Sequence, residues 1–324
     1  MHHIFEKFSE LKILIIGDVM MDTYLWGRVE RISPEAPVPV VSVTKKENRL
    51  GGAANVALNV QSLGAMPIIC AVIGDDPEGD EFLKLIDKQN LSARGILRVN
   101  GRPTTVKTRV IGHNQQIVRV DAETDQQISR ETTDQLFYTI ETILRTQEIN
   151  AIIFEDYDKG LISQELITRT VDLANSMQIL TVVDPKKRNF LSYENVSLFK
   201  PNLKELKEGL KVDIEPRHIG DINEAVVLLQ DKLHAGMVMV TLSELGVYIS
   251  SPQGQKILPA HIRNIADVSG AGDTVIATAT LCLAAGLDSF KTAEIANLAG
   301  GLVCEQVGVV PIGYDLLLAE TKNL

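Results

Sequence analysis

Short, uninterrupted apolar runs alternate along this chain with stretches of helical period. Lys12-Ile-Leu-Ile-Ile-Gly17 is closed by glycine and Asp18, and similar runs recur at 68–73, 151–154, 179–183 and 237–241. Such runs are too short for helices and lack polar alternation, so they predict strands buried on both faces. Helical spacing marks 53–63, 79–89, 134–145, 163–176 and 222–234, and two helices rich in Ala and Thr, 272–285 and 289–306, close the chain. Strand alternating with helix predicts an α/β fold with a mostly parallel sheet covered on both faces. In such sheets ligands bind beyond the carboxyl ends of the strands.

Two segments break the pattern. Residues 22–43 contain Pro34, Pro37 and Pro39 and the alternating run Val38-Pro-Val-Val-Ser-Val43. Residues 104–121 alternate through Thr105, Lys107 and Arg109, then Ile117, Arg119 and Asp121, with a turn expected at His113-Asn114. Both predict half-exposed antiparallel pairs, hence a small sheet standing off the main domain over about 22–45 and 103–121. The pattern fits a lid over a site and a plain surface excursion equally. Its exposed edges would invite pairing with a second copy, which predicts a homodimer through these sheets. No repeat and no Pro-, Gly- or Ser-rich linker divides the chain, so one domain over 1–324 is expected.

Composition narrows the function classes. The chain has 324 residues, 45% hydrophobic and 23% charged, with a net charge of −10. The acidic balance disfavours a nucleic-acid backbone or an anionic membrane as partner. There is no run of apolar residues long enough to span a bilayer and no signal-peptide pattern, so a cytoplasmic protein is expected. Cys70, Cys282 and Cys304 lie far apart in apolar surroundings, without zinc-ligand spacing, and read as buried thiols.

Ser269-Gly-Ala-Gly-Asp273 stands at the head of the first Ala-rich helix. Glycines allow a close backbone approach, and unpaired helix N-terminal amides attract anions. A carboxylate in that first turn could take a proton from an alcohol while the amides of Gly270, Ala271 and Gly272 stabilise a transferring phosphoryl group. Alone, the motif would favour a helix cap after a turn.

The motif is not alone. Asp267-Val-Ser-Gly-Ala-Gly-Asp273, Leu50-Gly-Gly-Ala-Ala-Asn-Val-Ala57, Lys200-Pro-Asn-Leu-Lys-Glu205 and Val240-Thr-Leu-Ser-Glu-Leu-Gly246 occur in an order that resembles the ribokinase-like (PfkB) carbohydrate kinases across nearly the whole chain. Arg31-Ile-Ser-Pro-Glu-Ala-Pro-Val-Pro-Val40, Ile16-Gly-Asp-Val-Met-Met-Asp22 and Val183-Asp-Pro-Lys186 resemble the branch that phosphorylates D-glycero-β-D-manno-heptose 7-phosphate at O1, for ADP-heptose and lipopolysaccharide core. The resemblance implies a ribokinase-like three-layer fold with a protruding β-sheet lid, ATP and Mg2+ as cofactors, and a monovalent cation as an open question. It leaves as alternatives another sugar or nucleoside kinase of the family and a catalytically silent sugar-phosphate sensor. Many members of this branch carry a fused adenylyltransferase. No motif for one precedes Leu324, so a separate adenylyltransferase is expected.

The resemblance also implies residue roles. Asp273 is the expected base. Asp18, Asp22, Gly51, Gly52 and Asn55 are expected at the sugar, with Lys107, Arg109 and Lys186 as candidates for its existing phosphate. Asn202, Leu203, Lys204, Glu205, Thr241, Gly246 and Asn297 are expected at ATP, and Glu205 is suited to holding Mg2+ through water. Two departures stand out: Ser243 where the family often has Gly, and acidic Glu155 where a small residue would be less surprising.

Overall fold

A computed structural model describes residues 1–112, 115–261 and 263–324. The strands are β1 (Lys12–Gly17), β2 (Val19–Ile32), β3 (Pro39–Gly52), β4 (Met66–Gly74), β5 (Gly95–Val99), β6 (Val106–Gly112) and β7 (Gln115–Ala122), then β8 (Ala151–Glu155), β9 (Leu180–Asp184), β10 (Leu198–Phe199), β11 (Met237–Thr241), β12 (Val247–Ser251) and β13 (Gly254–Leu258). The helices are α1 (His2–Lys7), α2 (Ala53–Ser62), α3 (Pro77–Lys88), α4 (Arg130–Thr146), α5 (Gln164–Ser176), α6 (Leu203–Leu210), α7 (Ile219–Leu233), α8 (Ala271–Ala284), α9 (Ser289–Val303) and α10 (Tyr314–Glu320).

Nine strands form one sheet in the order β13-β12-β11-β10-β9-β8-β1-β4-β5. It is parallel from β5 to β11 and ends in an antiparallel hairpin, β12–β13. Every residue of β8 is buried, as its continuous apolar run required. Helices α2, α8 and α9 pack side by side over one face, and α4 and α5 pack together over the other, giving three layers.

The second sheet has four strands in the order β3-β2-β6-β7. Its two antiparallel hairpins are joined by a parallel β2–β6 pairing. Both arms exceed the expected limits, because β2 begins at Val19 and β3 runs on to Gly52, directly into α2. The expected turn at His113-Asn114 lies outside the described residues.

Apolar periodicity put several helix starts too late. α3 begins at Pro77 rather than Gly79, because Asp76 caps it by accepting the Gly79 N–H at 2.7 Å with proline in the first turn. α4 begins four residues before Asp134 because Ser129 accepts the Thr132 N–H at 3.1 Å. Cys70 and Cys282 are buried as expected, but Cys304 is only half-buried. Among the described residues no helix is long and apolar enough to cross a membrane.

Candidate active site

Strands β1, β8 and β9 end side by side at Gly17, Glu155 and Asp184, and α8 begins above these ends. Gly270, at φ 80°, is its N-cap, and no side chain caps it. Asp273 is therefore the third helical residue, not a cap. Its carboxylate is 6% exposed. Asn55 Nδ2 donates to Oδ2 at 2.6 Å, and the Tyr157 hydroxyl donates to Oδ1 at 2.9 Å. Asn55 is not a cap either, since α2 is capped by Gly52. Gly52 adopts φ 60° because the chain doubles back so closely that a Cβ would run into the Asp18 carbonyl. Thr274 donates to Asn59 at 3.0 Å, which locks α8 onto α2 and sets the Asn55–Asp273 distance.

Burial pushes the Asp273 carboxyl above its ordinary value. The Asn55 and Tyr157 hydrogen bonds work against the shift, and the Asp184 charge adds to it. The Tyr157 phenol is pushed well up, first by burial and then by Asp273, so it stays a neutral donor. Among the described residues the amides of Gly272 and Asp273 make no backbone hydrogen bond, whereas Ala271 N–H reaches Val268 O at 3.3 Å. Of the amides expected to form the anion hole, Ala271 is thus engaged, and Gly272 is left open together with Asp273 beside it.

On one side of Asp273 lies a cavity of about 560 Å3. Asn202, Thr241, Gly246 and Asn297, all expected at ATP, line it together with Gly270–Asp273. Leu203, Lys204 and Glu205, also expected at ATP, are not among its lining residues: Leu203 packs on the core and Lys204 is exposed, 3.8 Å from Glu208. Asn202 and Glu205 form a reciprocal capping box, each accepting the other's backbone N–H at 2.8 Å. Glu205 also meets Lys186 at 2.5 Å. Ser243 adopts φ 54°, the left-handed region that explains why glycine is common there.

Lys186, expected at the sugar's phosphate, lines this cavity with Thr241, Gly246 and Asn297, because it follows β9, which lies between β8 and β10. Lys200, just after β10, is 2% exposed and 2.8 Å from Asp184. Its Nζ lies 3.9 Å from where a Cβ on Gly272 would stand. Burial works against the Lys200 ammonium, but Asp184 outweighs it and holds the pKa above the ordinary value. Burial likewise opposes the Asp184 carboxylate, and Lys200 and Lys186 outweigh it and hold that pKa down. No sequence signal marked this pair, since its meeting depends on β10, only two residues long.

On the other side, Asp18 accepts backbone N–H groups from Tyr157 and Lys159, both at 3.0 Å, and from Leu161 at 3.2 Å. It anchors this loop and keeps spare lone-pair capacity for a hydroxyl donor. Burial raises its pKa to about 6 despite these bonds. Asp22 pairs with Arg109. A Cβ on Gly51 would collide with the Asp22 carboxylate. The guanidinium carbons of Arg109 and Arg49 lie 5.4 and 4.9 Å from the Tyr24 ring centre, so two cations flank one aromatic on the small sheet. Arg49 escaped sequence reading as a candidate. Lys107 is drawn instead to Glu123 at 3.0 Å and Asp121 at 3.5 Å.

Among the described residues no group of three or more His, Cys, Asp or Glu side chains could hold a metal ion.

The family described as pfkB family carbohydrate kinase matches residues 10–312. A bifunctional protein HldE from Helicobacter pylori is 40% identical over 92% of this chain and 63% of its own length. One from Sulfurimonas denitrificans is 37% identical over 94% of this chain, again 63% of its own length. The chain therefore spans about 63% of these relatives. Among solved structures, phosphofructokinase-2 from Escherichia coli in complex with potassium superposes with a TM-score of 0.78 at 19% identity, covering 95% of this chain and 97% of that one. Arabidopsis thaliana ribokinase complexed with ribose and ATP gives 0.73 at 15% identity, covering 95% and 98%. These two likenesses carry the ribokinase-like fold.

Proposed function

The chain belongs to the pfkB family of carbohydrate kinases, and from that premise we propose that it phosphorylates D-glycero-β-D-manno-heptose 7-phosphate at O1 with ATP. The coarser statement needs no proposal: it is a phosphotransferase with an alcohol acceptor. The heptose reading is supported by the 31–40 motif and by 40% identity to proteins named HldE.

The observation that carries the mechanism is the buried Asp273 carboxylate, held from both sides by Asn55 and Tyr157 at the N-terminus of α8. In our reading Asp273 takes the proton of the anomeric hydroxyl as the new O1–P bond forms and the bond from the γ-phosphorus to the ADP oxygen breaks. The Gly272 and Asp273 amides, with Lys200 and Lys186, meet the charge on the transferring group. Mg2+ bound with the nucleotide would neutralise phosphate charge, and Glu205 is the carboxylate suited to its water shell. Asp18, Asp22 and the Gly51–Gly52 backbone hold the sugar. The small sheet covers it and excludes water.

A coupled ADP assay tests the reading. Heptose 7-phosphate should turn over far better than ribose, fructose 6-phosphate or adenosine, in potassium and in sodium, with phosphorus NMR placing the new phosphate on C1. Better turnover of one of the other three would favour another sugar or nucleoside kinase of the family. Arg109 and Arg49 are the proposed readers of the 7-phosphate. Arg109→Ala should raise KM for the acceptor by about 10- to 100-fold, the equivalent of a lost charged hydrogen bond, and change kcat little. An unchanged KM would remove Arg109 from that role.

The small sheet also carries the proposed dimer. Val118 and Val120 on its edge strand β7 are exposed at 48% and 56%, and an apolar edge of this kind invites pairing. Light scattering should give twice the chain mass; a monomer would sink the idea.

A further inference from the structure

Glu155 ends β8 between Gly17 of β1 and Asp184 of β9. It is 0% exposed, and among the described residues neither carboxyl oxygen has a hydrogen-bond partner. Room for it exists because β1 ends in glycine: a Cβ on Gly17 would stand 2.9 Å from the Glu155 Cβ. Glu155 does not line the nucleotide cavity. Asp184 and Asp273, which do, are the carboxylates whose charges bear most on it.

An ionised carboxylate sealed from water without a donor is costly, and such a group neutralises instead. The charged groups that bear most on it are Asp184, Asp273, Lys186 and Lys200. Asp184 on β9 and Asp273 on α8 repel a negative charge here. Lys200 after β10 is taken by Asp184, and Lys186 after β9 by Glu205 and Asp184. Tyr157, on Glu155's own loop, donates to Asp273. We propose that Glu155 is a positioning residue that stays a neutral carboxylic acid behind the phosphoryl-transfer site, and that its ionisation at alkaline pH closes the working range of the kinase. Burial above all, with Asp184 and Asp273, pushes this carboxyl well above the ordinary value, against Lys186 and Lys200. While neutral, it adds no further negative charge to the Asp184 and Glu205 carboxylates that already draw on these two ammoniums. Once charged, it competes for them and opposes the incoming phosphate charge.

This inference rests on the kinase reading for its consequence but not for the protonation state, so two measurements separate them. The first is thermal unfolding of wild type, Glu155→Gln and Glu155→Leu from pH 5 to pH 9. A carboxyl with a raised folded-state pKa binds its proton in the folded state and loses it in the unfolded one. Its contribution to stability is complete below the ordinary carboxyl range and is lost as pH rises toward the folded value. The variants have no such loss, so their Tm advantage over wild type should widen by about 2 °C per pH unit, a tenfold change in the folding equilibrium. A constant offset, or failure of both variants to fold, would overturn the proposal. The second is the pH profile of kcat/KM, each variant normalised to its own maximum. The alkaline limb of Glu155→Gln should lie at least one pH unit above that of wild type. Superimposable limbs alongside the expected Tm trend would retain the neutral acid and overturn its part in catalysis.

Discussion

Asp273→Asn should fold normally and lose about two orders of magnitude or more in kcat, with little change in KM for either substrate. The neighbours explain why the fold survives. Asn55 donates to one carboxylate oxygen and Tyr157 to the other. An amide at 273 can keep both contacts, because the Tyr157 hydroxyl can accept as well as donate and Asn55 has a buried Oδ1 without a partner. Stability should not fall. A carboxyl whose folded pKa is raised contributes fully below the ordinary range and loses that contribution as pH rises through the folded value. At pH 8 the neutral amide avoids that loss, so Tm should equal or exceed the wild-type value. The proton acceptor, by contrast, is gone. A steady-state assay beside a thermal melt checks both halves. A kcat within tenfold of wild type would remove Asp273 as the base, while loss of folding would mean that its charge serves the structure.

The residues of this half of the site were legible because each belongs to a local feature. Gly51, Gly52 and Asn55 sit where a strand turns straight into α2, and Gly270–Asp273 sit where a loop turns into α8. Glycines at such junctions show in sequence, since only they tolerate the backbone angles or the close approach. The parallel sheet was legible for a similar reason: β1, β4, β8 and β9 are buried on both faces and carry no polar alternation. What could not be read depended on strand order. Lys186 follows a strand whose sequence does not say which side of Asp273 it reaches, and the order β10-β9-β8-β1 sets it in the cavity lined by Thr241 and Gly246. Lys107 alternates correctly on β6, but its cross-strand neighbour is Asp121, and that pairing decides where its ammonium goes. Arg49 was missed because the long β2–β3 register that sets it beside Asp22 and Tyr24 includes bulges.

Lys200 gives the other large effect. Its ammonium is buried, 2.8 Å from Asp184, and faces the start of α8. Lys200→Met should destabilise the fold by about 3–5 kcal/mol, because it leaves the Asp184 charge buried with only Lys186 at 3.5 Å to answer it. Adding Asp184→Asn should recover much of that loss, since a buried ion pair replaced on both sides by neutral groups costs far less than a broken one. Turnover should not recover in parallel. If Lys200 meets the transferring phosphoryl group, both variants should stay about 100- to 1000-fold below wild type in kcat, the scale of one lost transition-state donor. Urea unfolding and kcat, measured on both single variants and the double, separate the two roles. Stability and turnover rising together in the double variant would make Lys200 only a counter-ion for Asp184. Stability rising alone would place its ammonium on the phosphoryl group in flight, as the approach to Gly272 suggests.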